Sequence, residues 1–201
     1  MPDMKRREII GILALAPLTG ALNWSPEAMS RARAVVAQAR ESAAAGVRYE
    51  PKFFTTQEYE TVRTLADLII PRDERSGSAT DAGAPEFMDY MLSEYPDNQI
   101  PVRGGLAWID NESRERFGKS LVACAPPQQT ALLDDLAFPA RAKPELSHGV
   151  EFFNRFRDMT ASAFFSSKIG VADLQYTGNT FVTEWNGCPP EALAKLGVRY
   201  P

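Results

Sequence analysis

With 22 Lys and Arg against 26 Asp and Glu in 201 residues, the chain carries a formal net charge of -4 and shows no basic stripe with interleaved aromatics, which argues against a nucleic-acid footprint. Hydrophobic residues at 44% and charged residues at 24% are ordinary values for a soluble globular chain, and they exclude extended disorder after Phe53. One histidine, His148, and two cysteines, Cys124 and Cys188, are too few to hold a structural zinc or an iron–sulfur cluster.

The chain opens on "MKRREIIGILALAPLTGALNW", residues 4 to 24. Lys5, Arg6 and Arg7 form a basic start, and an apolar run from Ile9 to Trp24 follows, interrupted by Pro17 and Gly20. The run is shorter than the roughly 20 apolar residues that span a bilayer, and Pro17 breaks its middle. Residues 1–24 therefore read as a twin-arginine export signal with Arg6 and Arg7 as the pair. A buried N-terminal helix with a basic start is the alternative. Thr19-Gly20-Ala21 offers small residues for cleavage before Leu22, and a signal left uncleaved is expected to anchor the chain at the inner membrane, on its periplasmic side. The twin-arginine route carries folded proteins, mostly those that hold a cofactor or accompany a chain that does.

Residues 25–50 begin with Ser25-Pro26-Glu27, a helix start, and continue as an Ala-rich run to Gly46. Small and polar on most faces, this segment reads as a helical tether. Residues 51–201 then form one domain of about 150 residues, enough for a single core. Thr55 and Glu58 are spaced as a capping box, Phe54 is placed to staple onto Tyr59, and Tyr59, Val62, Leu65, Ala66 and Ile69 make one apolar stripe ending at Pro71. "PRDERSGSATDAGAPEF" is loop in character, and Pro85 opens a second helix with Phe87, Met91, Leu92 and Tyr95 that stops before Pro96. A third helix is expected from about Val102 to Cys124, with Trp108 inside it as core and Leu106, Ile109, Phe117 and Leu121 facing inward. A fourth runs from Gln128 to Phe138 and a fifth from Val150 to Ser166. Phe152, Phe153, Phe156, Met159, Ala163 and Phe164 cover more than half the circumference of the fifth, which places it in the domain centre or under a partner. No alternating strand pattern is long enough for a sheet. The fold class is mainly α, a compact irregular helical bundle with a loop-rich C-terminal segment.

The chain's chemistry is sparse. No G-x-G-x-x-G follows a strand, and no Ser/His/Asp set surrounds an elbow. His148 reads as a helix-start or solvent-facing residue rather than a general base. Asp67, Asp73 and Glu74 at the end of the first core helix, like Asp134-Asp135, read as solvated loop edges, with acid–base work as the sharper alternative. Cys124 and Cys188 are either a disulfide, worth ~4 kcal/mol on the chain-entropy model, or two separate thiols with Cys124 buried as a small hydrophobe.

Two blocks carry a family resemblance. "FFTTQEYETVRTLADLIIPRDERSGSATDAGAPEFMDYML", residues 53 to 92, and "ASAFFSSKIGVADLQYTGNTFVTEWNGCPP", residues 161 to 190, resemble the opening and the C-terminal signature of the gluconate 2-dehydrogenase subunit 3 family, the small subunit of such complexes. Residues 96 to 148 match no motif of it. The resemblance implies a chain with no catalytic, cofactor or metal site of its own, within an FAD-dependent oxidoreductase acting on CH–OH groups of a sugar or sugar acid. FAD would sit on a large partner of the glucose-methanol-choline type, and haem c on a c-type cytochrome that accepts the electrons. The small subunit would supply the export signal, escort the folded flavoprotein and stabilise it. Within that frame Tyr176, Asn179, Phe181, Trp185 and Asn186 are candidate partner-interface residues, with Trp185 as an anchor; a loop plugging the chain's own core is the equal alternative. A scaffold docking a cytochrome alone and an independent cofactor-free periplasmic enzyme remain the competing functions.

Overall fold

Capping side chains, prolines and left-handed glycines cut the chain into short helices. The computed structural model describes residues 24–175, 184 and 187–199, and no strand occurs among them. Its helices are α1 (Pro26–Ala44), α2 (Thr56–Ile69), α3 (Ala84–Glu94), α4 (Gln99–Phe117), α5 (Pro126–Ala137), α6 (Ser147–Phe165), α7 (Lys168–Asp173) and α8 (Pro190–Leu196). The mainly helical bundle expected from periodicity is the architecture found. Of the expected export signal, residues 1–24, all but Trp24 lie outside the described residues, Arg6 and Arg7 among them.

α2 starts as its sequence requires. Thr55 Oγ1 accepts from the Glu58 N–H at 3.2 Å while Glu58 Oε2 accepts from the Thr55 N–H at 2.8 Å, a reciprocal capping box. The stripe Tyr59, Val62, Leu65, Ala66 and Ile69 is buried. α4 ends earlier than expected, at Phe117, because Gly118 takes the left-handed conformation with φ 71° and closes the helix. Leu121 therefore reaches the core from a 3-10 turn, Leu121–Ala123, held from both sides: its N–H donates to Asp110 Oδ1 at 3.0 Å, and its carbonyl accepts from Gln129 Nε2 at 2.9 Å.

α6 occupies the centre and packs against α2, α3, α4, α5 and α7. Phe156, Met159 and Phe164 on it are almost wholly buried, so its apolar circumference is covered by this domain. α4 and α6 come close through a reciprocal exchange of glycine and aromatic. A β-carbon at Gly105 of α4 would fall inside the Phe152 ring of α6, and one at Gly149 of α6 would fall on the Trp108 indole of α4. Trp108 is partly buried against the core, in line with its expected place.

α1 differs from a free tether. It lies along α3 with Ala28, Ala32 and Val36 buried in the common core. The start of α1 is fixed at the far end of α3: the Ser25 N–H donates to Tyr95 Oη at 2.9 Å, and Arg31 donates to Tyr90 Oη at 3.0 Å and pairs with Glu94 at 3.0 Å; the Trp24 ring also sits 5.6 Å from that of Phe87. At the other end Gly83, with φ 77°, opens α3, and any side chain there would strike Val36. The two helices are thus antiparallel. Because their seam is made of small residues, it lacks the wide apolar stripe that would announce it in sequence.

Ala32→Glu places a carboxylate in that seam at a position with no exposure. Burial of an unpaired charge is expected to reduce stability by about 3 kcal/mol or more and to expose the arginines of α1 to trypsin. A helix that merely tethers would show no change in the denaturation midpoint or in the digestion pattern.

Candidate functional site

One carboxylate in α3 has no access to water. Asp89 is 0% exposed, and its two oxygens are filled by the segment that precedes α2. Oδ1 accepts from the N–H groups of Phe53 and Phe54, each at 3.0 Å; Oδ2 accepts from the Lys52 N–H at 2.8 Å and from Tyr49 Oη at 2.9 Å. One turn earlier, Glu86 Oε1 accepts from Tyr59 Oη at 2.8 Å, and the Tyr49 and Tyr59 rings lie 5.7 Å apart. Burial, then the neighbouring Asp89 carboxylate, pushes the Tyr49 phenol well above its usual range; burial, then Glu86, does the same to Tyr59. Such a network holds a chain segment in place and leaves no oxygen of Asp89 for a substrate. Sequence reasoning passed over Asp89, although its place among Phe87, Met88, Met91 and Leu92, all buried, was the signal available.

Of the acidic residues that invited an acid–base reading, Asp67, Asp73 and Asp135 are engaged. Asp67 is a clip rather than a solvated edge: Oδ1 accepts from the Thr80 N–H at 2.8 Å and Oδ2 from its hydroxyl at 2.7 Å, which ties the loop after α2 back onto that helix. Asp73 Oδ1 accepts from the N–H groups of Arg75 and Ser76 at 2.9 and 2.8 Å, closing a turn. Glu74 is exposed. Burial pushes Asp81 up, but hydrogen bonds from Ser78 and Arg72 outweigh it and hold the carboxyl below its usual range. Asp134 is exposed and Asp135 pairs with Arg116 at 2.6 Å. His148 is exposed in the first turn of α6, with no carboxylate hydrogen-bonded to it among the described residues. Cys124 is a buried free thiol, its sulfur 3.2 Å from Ser113 Oγ, and Cys188 is exposed ahead of α8. Tyr176, Asn179, Phe181, Trp185 and Asn186 lie outside the described residues. Among the described residues no group of three or more His, Cys, Asp or Glu is placed to hold a metal, and no helix is long and apolar enough to cross a membrane.

Concavities open on the surface of the described residues, two of which bear on binding. The smaller, about 300 Å³ between α2 and α4, is lined by charges that already neutralise one another: Arg103 pairs with Glu58 at 2.9 Å and Arg114 with Asp110 at 2.9 Å. Arg103 also donates to the Phe53 carbonyl at 2.8 Å and stacks over the Phe53 ring at 4.5 Å, so this cluster fixes α4 against the start of α2. The larger, about 590 Å³, lies between α1, the start of α3 and the junction of α6 with α7. Its floor is Val36, Ala82, Phe87 and Ala163; Arg33, Arg40 and Lys168 stand around it, and no acidic residue lines it among the described residues. Ser166 and Ser167, its hydroxyl-bearing walls, are spent on helix ends: Ser166 donates to the Ala163 carbonyl at 3.0 Å and Ser167 accepts from the Gly170 N–H at 3.0 Å. Apolar contact and cation placement are what this hollow offers, which is the chemistry of binding.

Asp89→Asn turns an –NH₂ toward N–H donors, and is expected to lower stability by about 3 kcal/mol or more with the helices otherwise retained; an unchanged urea midpoint would remove Asp89 from its structural role. The raised tyrosines set the sign at high pH. The unfolded chain deprotonates first, so their contribution is intact below about pH 10 and is lost as pH climbs above it. Urea midpoints are expected to stay level from about pH 8 to 9 and to fall beyond 10, with a shallower fall in Tyr59→Phe; equal slopes for the two proteins would contradict this.

Residues 56–184 match the family described as Gluconate 2-dehydrogenase subunit 3, and the chain belongs to that family. No curated protein and no solved structure matches it.

Proposed function

We propose that this member of the gluconate 2-dehydrogenase subunit 3 family is the non-catalytic small subunit of a periplasmic FAD-dependent sugar or sugar-acid dehydrogenase complex. In this reading it binds the folded large flavoprotein subunit, carries it through twin-arginine export by means of Arg6 and Arg7, and stabilises it afterwards. The large subunit, of the glucose-methanol-choline type, holds the FAD and takes the hydride from a CH–OH group; a c-type cytochrome carrying haem c receives the electrons. Family membership supports the place in a dehydrogenase complex. The observation that carries the division of labour is the fate of the acidic groups: Asp67, Asp81, Asp89 and Asp110 are bonded to backbone N–H groups that hold this fold together, and Asp110, which also borders the smaller hollow, is paired there with Arg114.

The packing of α1 suits the export role. The helix that follows the signal is integral to the domain, so a cargo bound to the domain is attached to the signal through folded structure rather than through a loose leash.

Replacement of Arg6 and Arg7 by lysine tests the escort. Fractionation of cells producing both subunits is expected to show the large subunit and its flavin held in the cytoplasm together with the variant. A large subunit that reaches the periplasm undiminished would remove the escort role.

A further inference from the structure

The 590 Å³ hollow is the feature that folding does not explain. Arg33, Val36, Ala37 and Arg40 follow one another along α1 at i, i+3, i+4 and i+7, so one wall is a single helical stripe with a cation at each end and apolar side chains between. At 1.5 Å per residue the two arginines stand about 10 Å apart along the helix. Lys168 and Val171, at the start of α7, repeat the pairing of cation and apolar residue on the opposite wall. In a chain of net charge -4 these three cations collect around a hollow that no acid lines among the described residues. None of the three takes part in an ion pair or side-chain hydrogen bond among the described residues, whereas Arg31, Arg72, Arg103, Arg114 and Arg116 all do.

We propose that this groove docks an acidic amphipathic helix of the large flavoprotein subunit, with apolar side chains over Val36, Phe87 and Ala163 and carboxylates on Arg33, Arg40 and Lys168. The inference rests on the function proposed above and specifies the surface. Charge complementarity selects the occupant. The chain's own start sets Lys5, Arg6 and Arg7 against Asp3 and Glu8 and is basic on balance; residues 176 to 183, "YTGNTFVT", hold no acid; α8 and the residues after it set Glu191 against Lys195 and Arg199. Two arginines about 10 Å apart along one stripe do not converge on a single phosphate, as a lipid headgroup would require. They do match carboxylates two turns apart on a facing helix, whose apolar anchors between them fill a hydrophobic groove.

The test uses the full chain in its complex, produced together with the large subunit. A photo-reactive benzoylphenylalanine at the exposed wall residue Ala37 is expected to form an adduct with a large-subunit peptide that has carboxylates flanking apolar residues. Arg33→Glu with Arg40→Glu, both exposed positions, is expected to lower recovery of the large subunit at least about tenfold with an unchanged helical spectrum, and the paired lysine variant is expected to restore most of it. Adducts to the chain itself, to a second copy or to no peptide, or full recovery with the charge-reversed chain, overturn the groove while the escort reading stands. An unmodified chain that purifies with no large subunit removes both.

Discussion

The buried carboxylate of Asp89 is the constraint on which the arrangement depends. A charge with no solvent is tolerated only where donors surround it, and here those donors are three consecutive backbone N–H groups and one phenol, all from residues 49 to 54. The connection between α1 and α2 is thereby fixed on α3. Phe53 and Phe54 are held edge to face, Thr55 is delivered to cap α2, and Arg103 of α4 closes on the same place through Glu58 and the Phe53 carbonyl. Three helices thus take their relative positions from one side chain.

α1 is positioned from the same helix. It gives its seam with α3 only Ala28, Ala32 and Val36, with Ser25 bonded to Tyr95 at one end and Val36 against Gly83 at the other. Such a seam brings backbones close but buries little apolar area per residue, so much of its hold comes from the hydrogen bonds and ring contact at its start. The same helix forms a wall of the basic groove. A ligand that bridges α1 and α7 through that groove would add to the hold on α1.

What could be read from the sequence divides along physical lines. The capping box at Thr55, the stripe of α2 and the all-round apolar α6 were legible because each rests on local spacing. The end of α4 was misplaced because Gly118 stops a helix through its backbone while the inward pattern runs on to Leu121. The docking of α1 was missed because alanine carries little hydrophobic signal, and Asp89 because a polar residue in a helix reads as surface unless its partners, 35 to 40 residues earlier, are known. The groove has the same origin: Arg33 and Arg40 look like the solvated face of a polar helix until Phe87 of α3 and Ala163 of α6 place an apolar floor beside them. The family resemblance was legible from two blocks of motifs, and the aromatics of the second block that were read as partner contacts fall on residues the structure does not describe.

The central claim is that this chain works as the colourless half of a flavoprotein complex, and native mass spectrometry with visible absorption on the tagged chain, purified from its own envelope fraction, tests it most directly. The account predicts one assembly in which the 22.2 kDa chain, less any cleaved signal, is joined to a larger subunit, with flavin absorption that follows the larger subunit when the two are separated. A stable monomer without flavin and without a partner would contradict it.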